Sequence, residues 1–129
     1  MKSTSLILFV IVLLCSSCVR EIERKDLYGT WDYVKVQNFN PPDSLSSTEL
    51  EREKPAIVFY ADSNLLINWG GKQLSHGTYK MDGKMIRYTE SLEGGRKREF
   101  PFLIKELGEK ELVFETMEQN YTRIKAKKR

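Results

Sequence analysis

Turn signals divide the sequence from Leu27 onward into short strand-forming segments, and this spacing constrains the fold more than any other feature. The signals are Gly70-Gly71, Asp82-Gly83, Gly94-Gly95 and Gly108-Glu109. Gly-Gly and Asp-Gly suit the positive φ angles of two-residue type I′ hairpins. The eight segments are GTWDYVKVQ (29–37), AIVFY (56–60), LLINW (65–69), HGTYKM (76–81), MIRYTE (85–90), KREFPFLIKEL (97–107), LVFET (112–116) and NYTRI (120–124). Strands at this spacing predict an all-β antiparallel barrel, with a two-sheet sandwich as the alternative.

Alternation of apolar and polar residues within the segments predicts which side chains face the interior. Applied throughout, the rule predicts an interior containing eight aromatic rings: Trp31, Phe59, Tyr79, Tyr88, Phe100, Phe102, Phe114 and Tyr121. So many rings favour a largely solid core, although the inward tyrosine hydroxyls could instead line a pocket with polar tips. Pro101 has no N–H to donate, so we expect an edge, a bulge or a bend at that position.

One long segment, residues 38–55, interrupts the strand pattern and cannot be a hairpin turn. Ser46 and Glu49 have the spacing of a capping box, which predicts a short helix from about Ser47 to Lys54. The following Pro55 disfavours helical backbone in the residue before it and is expected to end the helix. A long first connection that carries a helix is either a lid over a binding site or a plug that covers one end of the β structure.

The N-terminus has the organisation of a secretory signal peptide. Lys2 provides a positive charge, and Leu6 to Leu14 (LILFVIVLL) is an unbroken apolar run. A spanning helix needs about 20 apolar residues, so this run is too short for a permanent transmembrane anchor. The small residues Ser16 and Ser17 follow it. We therefore expect residues 1–17 to be removed as a lipoprotein or other secretory signal peptide.

The two cysteines of the chain, Cys15 and Cys18, allow three interpretations: a redox or metal C-x-x-C motif, a disulfide, or a lipid attachment site. A redox motif would need a βαβ context, which the neighbouring sequence lacks. A disulfide would lie within the processed segment and stabilise nothing. The stretch LLCSSC (13–18) resembles the lipobox of bacterial lipoproteins, although Cys15 stands where leucine is usual.

The lipobox resemblance implies that Cys18 receives diacylglycerol and becomes the first residue of the mature protein. Residues 18–26 would then be the lipidated cysteine and a short charged tether, so the folded domain would sit close to the bilayer. The resemblance also implies a location in the bacterial cell envelope, outside the cytoplasm, with the protein anchored to a membrane that we expect to be the outer membrane.

The charge of the mature chain is nearly balanced. Removing residues 1–17 takes away one basic residue and leaves 20 basic against 18 acidic side chains, a net charge of +2. Four of the basic residues, Lys125, Lys127, Lys128 and Arg129, are crowded into the last five positions. We therefore expect the barrel domain to cover residues 27–125 and residues 126–129 to form a solvated basic tail. The domain lacks an internal basic stripe, so nucleic acid is not an expected partner.

Residues for catalysis or metal binding are sparse. His76 is the only histidine, and the strand pattern predicts that it points outward. No group of histidine, cysteine and carboxylate residues has the spacing of a zinc site. The oxygen-rich Asp62-Ser63-Asn64 lacks the glycine and distal glutamate of a calcium loop, and we interpret it as a turn. We expect no catalytic residue, no metal and no cofactor, and hence a protein that is not an enzyme.

The segment LYGTW (27–31) resembles the Gly-x-Trp signature of lipocalins and of small bacterial lipocalin-like lipoproteins. The long first connection, the HGTY segment (76–79) and a last strand that contains Arg123 agree with the layout of that family. The resemblance implies an eight-stranded antiparallel up-and-down barrel with one short helix in the first long loop. It also implies that Gly29 and Trp31 help to close one end, with Arg123 lying across Trp31 in a cation–π contact.

Two functions follow from these expectations. The first is a membrane-anchored binding module for a small apolar or amphipathic ligand, which would contact four inward rings: Tyr79, Tyr88, Phe100 and Phe102. The second is an envelope interaction protein or enzyme inhibitor, with a filled barrel and no small ligand. A sizeable interior cavity would favour the first function. A contiguous exposed apolar patch would favour the second.

Overall fold

A computed structural model of the chain describes residues 21–39, 42–117 and 121–129. The strands are β1 (Gly29–Phe39), β2 (Pro42–Ser44), β3 (Ala56–Phe59), β4 (Asn64–Trp69), β5 (Lys72–Asp82), β6 (Met85–Ser91), β7 (Lys97–Leu107), β8 (Glu111–Thr116) and β9 (Thr122–Lys128). One α-helix, α1 (Ser47–Glu53), and two short 3₁₀ helices (Arg24–Leu27 and Glu93–Gly95) complete the described elements. The predicted signal peptide and Cys18 lie outside the described residues.

Eight of the strands form a closed antiparallel barrel in which each strand pairs with the next along the chain. The barrel closes because β1 pairs with both β3 and β9, from Trp31 opposite Lys128 to Asn38 opposite Thr122. The short strand β2 adds a hairpin to the far end of β1 and is not part of the closed circle. The predicted all-β barrel with one short helix is therefore confirmed, and the sandwich alternative is wrong.

Local turn chemistry explains how the hairpins form. Gly70 and Gly71 alone separate paired Trp69 and Lys72, and their φ angles are +62° and +75°. This is the two-residue turn that the sequence predicts. The Gly94-Gly95 pair is different, because it lies within a longer connection, residues 92–96, that contains a 3₁₀ turn.

Strand alternation places the predicted aromatic residues in one continuous core. The largest fully buried side chains of this core are Trp31, Tyr79, Tyr88, Phe59, Phe102, Phe114, Leu27, Ile57, Leu65, Ile86 and Leu112. Phe100 is half-buried and packs against this core. Tyr121 is the exception among the predicted interior rings: it is half-buried and its ring contacts that of Phe39, 5.2 Å away, rather than the core rings.

Gly77 allows β5 and β6 to approach closely. A Cβ atom at this position would lie 1.9 Å from the carbonyl oxygen of Thr89. No van der Waals contact is that short, so any side chain here would push the two strands apart. Glycine at position 77 therefore allows the predicted strand HGTYKM to pair closely with β6.

Pro101 lies where one side of β7 has no partner strand among the described residues. It pairs with Arg87 of β6, whereas pairing between β7 and β8 begins only at Phe102. The missing N–H of proline is compatible with such a position. Of the edge, bulge or bend expected at Pro101, the structure shows an edge. The bulge of β7 lies further along the strand, between Ile104 and Glu106.

The two ends of the barrel differ in what covers them. The closed end carries the 3₁₀ helix Arg24–Leu27, the turns at residues 60–63, 83–84 and 108–110, and the end of β9. Leu27 is fully buried there, and Ile22 packs against the core. The opposite end, called the open end below, carries β2, α1, the Gly70-Gly71 turn, the 92–96 connection and the start of β9.

Both predicted boundaries of the domain are wrong. The proposed tether, residues 18–26, includes described residues that are folded onto the barrel, since Ile22 packs against the core and Arg24 donates a hydrogen bond to Ser63. The proposed tail, residues 126–129, continues β9: Ala126 is fully buried and Arg129 forms an ion pair with Asp32, with 2.7 Å between Nη2 and Oδ1. Pairing with β1 and β8 stabilises the strand despite its many lysines.

Candidate functional site

The four residues predicted to contact a ligand all pack in the barrel interior, and three of them, Tyr88, Phe100 and Phe102, form one group of contacting rings. Tyr79, Tyr88 and Phe102 are 1%, 0% and 2% exposed. The ring centre of Tyr88 lies 5.1 Å from that of Phe100 and 5.7 Å from that of Phe102. Tyr79 stands apart from this group and packs edge-on against Phe59 at 5.3 Å. The rings thus pack against one another in the part of the interior where a ligand would have to lie.

The hydroxyl groups of the two buried tyrosines are paired within the protein. Tyr79 donates a hydrogen bond to the carbonyl oxygen of Tyr60 at 3.0 Å. The Tyr88 hydroxyl lies 2.6 Å from Oγ of the buried Ser75. Burial raises the pKa of Tyr79 and that of Tyr88 to about 12, so both side chains are neutral at physiological pH.

A polar group of side chains lies around Tyr88, towards the open end of the barrel. Ser75 donates a short hydrogen bond to Glu90, and Nη2 of Arg98 lies 3.3 Å from Oε1 of the same carboxylate. Arg98 also covers the ring of Phe100, with 4.9 Å from its guanidinium carbon to the ring centre. We call Ser75, Tyr88, Glu90 and Arg98 the open-end polar cluster. Burial raises the pKa of the nearby Tyr33 as well, with a smaller contribution from Tyr88.

The segment between β2 and β3 packs against the open end of the barrel. The Ser46–Glu49 capping box begins α1, as predicted, and Leu50 of the helix packs against the core together with Leu45. Backbone hydrogen bonds fasten the two ends of the segment: Leu45 N donates to Val36 O at 3.1 Å and Gly70 N donates to Glu53 O at 2.7 Å. Of the two predicted roles for this segment, these contacts favour the plug.

The closed end is built around Trp31, but its cationic partner is not the predicted one. Nζ of Lys128 lies 5.4 Å from the centre of the Trp31 ring, whereas the guanidinium carbon of Arg123 lies 5.2 Å from the ring of Phe39. Arg123 pairs with Gln37 on β1, six residues along the strand from Trp31. The predicted Trp31–Arg123 contact is therefore wrong, because the strand register brings the last lysine of β9 to the tryptophan.

Gly29, the other closed-end residue of the motif, has a structural reason to be glycine. Its φ angle is +121°, a conformation that residues with a side chain rarely adopt. A Cβ atom here would also lie 3.1 Å from Cε of Lys128. The stem of Lys128 thus passes directly over Gly29 on its way to the ring of Trp31.

Arg123 belongs instead to an ion pair on the outer face of the barrel. Its Nε and Nη2 atoms donate to Oε1 of Glu115 at 3.2 and 3.1 Å, and Nζ of Lys105 lies 3.9 Å from the same oxygen. Glu115 is 0% exposed, and its Oε2 atom has no hydrogen-bond partner among the described residues. Sequence reasoning missed this carboxylate, because its strand position predicts an outward, solvated side chain.

Exposed apolar side chains gather next to this ion pair at the open end. Phe39 and Met117 are 37% and 46% exposed, and the ring of Tyr121 contacts that of Phe39. The three residues lie on adjacent chain segments, since Phe39 N donates to Tyr121 O at 3.0 Å and Met117 follows the last residue of β8. We call Phe39, Met117 and Tyr121 the open-end rim. Exposed large apolar groups that lie together are typical of binding surfaces.

Among the clefts lined by the described residues, two lie on the outside of the barrel. One, of about 520 Å³, lies at the closed end between the N-terminal segment and the β7–β8 turn, with charged residues of both signs around Ile22 and Leu107. The other, of about 460 Å³, lies between the end of α1 and the Gly70-Gly71 turn and is lined by Arg52, Lys54 and Arg129 among others. Two of the cations that line the second cleft are already paired: Arg52 with Glu53, and Arg129 with Asp32.

The remaining candidate residues, His76 and Asp62, form hydrogen bonds with residues close to them in the sequence. His76 is exposed on β5, as predicted, and its Nδ1 atom lies 2.7 Å from Nε2 of Gln73. Asp62 accepts a hydrogen bond from the backbone N–H of Asn64, which lowers the pKa of its carboxyl and fits the predicted turn. Within the described ranges, no three histidine, cysteine or carboxylate side chains are grouped so as to hold a metal ion.

Comparison with known proteins leaves the geometry as the basis for assigning a function. No family model, no curated protein and no solved structure matches this chain. In the part of the chain that the structure describes, no helix has the length and hydropathy needed to cross a bilayer.

Proposed function

We propose that this protein is a lipid-anchored, extracytoplasmic interaction protein of the bacterial cell envelope, with a lipocalin-like barrel as its scaffold. Three sequence features support the anchor: the apolar run at residues 6–14, the small residues before Cys18 and the lipobox-like spacing. The Gly-x-Trp motif and the eight-stranded barrel support the lipocalin-like assignment. The scaffold is non-catalytic and has no cofactor.

One observation carries the choice of an interaction protein over a carrier. The rings of Tyr88, Phe100 and Phe102 occupy the barrel interior and contact one another at 5.1–5.7 Å. A protein whose interior is filled recognises its partner with its outer surface. The open-end rim is the best candidate for that surface, because its exposed Phe39 ring lies against Arg123, which pairs with Glu115. Aromatic and arginine side chains are enriched in the centres of protein–protein interfaces.

The anchor is tested by replacing the predicted lipidated residue. Cys18→Ala is expected to leave the precursor uncut or to release the protein from the membrane fraction, because alanine has no thiol to which a lipid could be attached. Cys15→Ala is the matched control and is expected to fractionate like the unmodified sequence. A Cys18→Ala variant that migrates and fractionates normally would show that the lipoprotein assignment is wrong.

The interaction surface is tested by photo-crosslinking in the cells that make the protein. A photo-reactive residue in place of Met117 is expected to give one discrete protein adduct, and Phe39→Ser is expected to abolish that adduct. Leu74, which is 64% exposed on β5 at the opposite side of the barrel, provides the matched control position. Equal adducts from positions 74 and 117, or an adduct insensitive to Phe39→Ser, would contradict a specific surface at the rim.

A second function, binding of a small amphipathic ligand, is favoured by the open-end polar cluster. Ser75 and the Tyr88 hydroxyl place buried polar groups within the barrel, towards its open end. A ligand could occupy the interior beside them only if the rings that pack around Tyr88 moved apart. Native mass spectrometry of protein purified from its source cells separates the two functions. A co-purifying small molecule that is lost on Ser75→Val supports the carrier. Protein that carries no small molecule supports the interaction protein.

A further inference from the structure

The chain enters the folded domain at the closed end of the barrel. Ile22 packs against the core, and the 3₁₀ helix Arg24–Leu27 places the fully buried Leu27 under Trp31. Nε1 of Trp31 donates a hydrogen bond to the carbonyl oxygen of Leu27 at 2.8 Å. A further hydrogen bond joins Arg24 to Ser63 in the β3–β4 turn. The N-terminal segment is therefore fixed to this end of the barrel from residue 22 onward.

Only a short length of chain separates this fixed segment from the proposed lipid anchor. Three residues of extended chain join the Cα atoms of Cys18 and Glu21, and they can span at most about 11 Å. The lipidated cysteine must lie at the surface of the bilayer. A tether of that length cannot reach around an eight-stranded barrel, so it can bring only the closed end to the membrane.

We propose that the closed end of the barrel rests on the phospholipid surface, with the open-end rim directed away from it. This inference depends on the lipidation of Cys18 in the proposed function. It goes further by identifying which end of the barrel contacts the lipid. The occupant of the 520 Å³ cleft at this end is then a phospholipid headgroup rather than a protein.

The chemistry of the closed end fits a headgroup layer. Lys25 and Lys128 line the cleft together with Glu21, Asp26 and Glu109. A zwitterionic headgroup carries a phosphate for the lysines and an ammonium for the carboxylates, so a cleft of both signs can bind each part. Tyr60 is 45% exposed at the same end of the barrel. Tyrosine is enriched at membrane–water interfaces, where its ring lies at the level of the headgroups.

The orientation is tested with single cysteine labels on the acylated full-length protein. Cys15 is removed with the signal peptide and Cys18 is blocked by acylation, so an introduced cysteine is the only free thiol. Glu109→Cys and Lys84→Cys label exposed turns at the closed end; Lys72→Cys and Lys97→Cys are matched exposed controls at the open end. Each variant carries a fluorophore and is reconstituted in phosphatidylethanolamine and phosphatidylcholine vesicles that contain a headgroup-linked quencher.

The expected result is several-fold stronger quenching at positions 84 and 109 than at positions 72 and 97. Equal quenching at both ends, or stronger quenching at the open end, would overturn the proposed orientation while leaving lipid anchoring intact. Flotation with the vesicles and the intact mass of each variant are measured first. A chain that lacks the acyl mass and does not float overturns the anchor itself, and the orientation with it.

Discussion

Lys128 extends over Gly29 and places its ammonium group 5.4 Å from the centre of the Trp31 ring. The indole Nε1 atom of Trp31 donates a hydrogen bond to the carbonyl oxygen of Leu27. The tryptophan is fully buried between the N-terminal 3₁₀ helix and the last strand. The Trp31 side chain therefore joins the beginning and the end of the folded chain. Its contacts with Leu27 and Lys128 cover the end of the barrel where the chain enters.

The charge on Lys128 is expected to stabilise the fold. Lys128→Met keeps most of the aliphatic stem over Gly29 but removes the ammonium, so the loss should be that of a cation–π contact, about 1 kcal/mol. Lys127→Met is the matched control, because the neighbouring lysine is exposed and pairs with Asp32 and Glu111 in the sheet without covering Trp31. Urea unfolding measures both variants, and equal losses would contradict a specific contact with the ring.

The identity of this partner could have been predicted from the strand pattern. Thr122, Ile124, Ala126 and Lys128 have the same alternation, so the last lysine lies on the face that carries the buried Ile124 and Ala126. The family resemblance pointed to Arg123, which has the opposite parity and points outward. Alternation, which correctly assigned the inward rings of the other strands, is a physical consequence of the pleat, whereas a motif carries no information on register.

Other features could not be read from the sequence, because they depend on packing between distant segments. The basic composition of residues 125–129 predicts a solvated terminus, but hydrogen bonds to two neighbouring strands hold residues up to Lys128 in the sheet. Glu115 has the parity of an exposed residue, yet it is fully buried. Local patterns predicted the strands, the main turns and the capped helix, and tertiary contacts decided where the domain ends and which polar groups are buried.

Removing the partner of Glu115 is expected to destabilise the protein more than neutralising Glu115 itself. Arg123→Met leaves a carboxylate with an unpaired Oε2 in a site without solvent access, where Lys105 at 3.9 Å is the remaining cation. We expect a loss of about 2 kcal/mol, reduced from a fully buried pair because Arg123 is partly exposed. Glu115→Gln keeps the shape without the charge and should lose less.

A double-mutant cycle measures this coupling by chemical unfolding. The combination of Arg123→Met with Glu115→Gln is expected to recover part of the stability that Arg123→Met alone loses, because no buried charge then remains. Additive losses in the double variant would show that the arginine acts through its contact with Phe39 instead.

A side chain at Gly77 is expected to disrupt the barrel. Gly77→Ala would place a methyl group 1.9 Å from the Thr89 carbonyl oxygen, which belongs to the backbone and cannot rotate away. The loss should be about 3 kcal/mol or more, or folding should fail. Gly108→Ala is the matched control, because its Cβ would meet Glu111 O at an ordinary 3.9 Å. Thermal unfolding compares the two, and a Gly77→Ala variant as stable as Gly108→Ala would refute the close approach.

The buried tyrosines make stability fall at alkaline pH. Burial raises the pKa of Tyr79 and Tyr88 from 10.0 to about 12, so the folded protein retains protons that the unfolded chain releases. Their contribution to the free energy of unfolding is fully present below pH 10 and is lost as the pH rises towards 12, because only the unfolded state gains from ionisation in that window.

Ultraviolet titration of the phenol groups should show a component in the native protein that ionises at higher pH than in the urea-unfolded chain. Tyr88→Phe should remove part of that component and flatten the alkaline loss of stability. Native and unfolded titration curves that coincide would mean that these hydroxyls reach water, and that the barrel interior is more open than its ring contacts indicate.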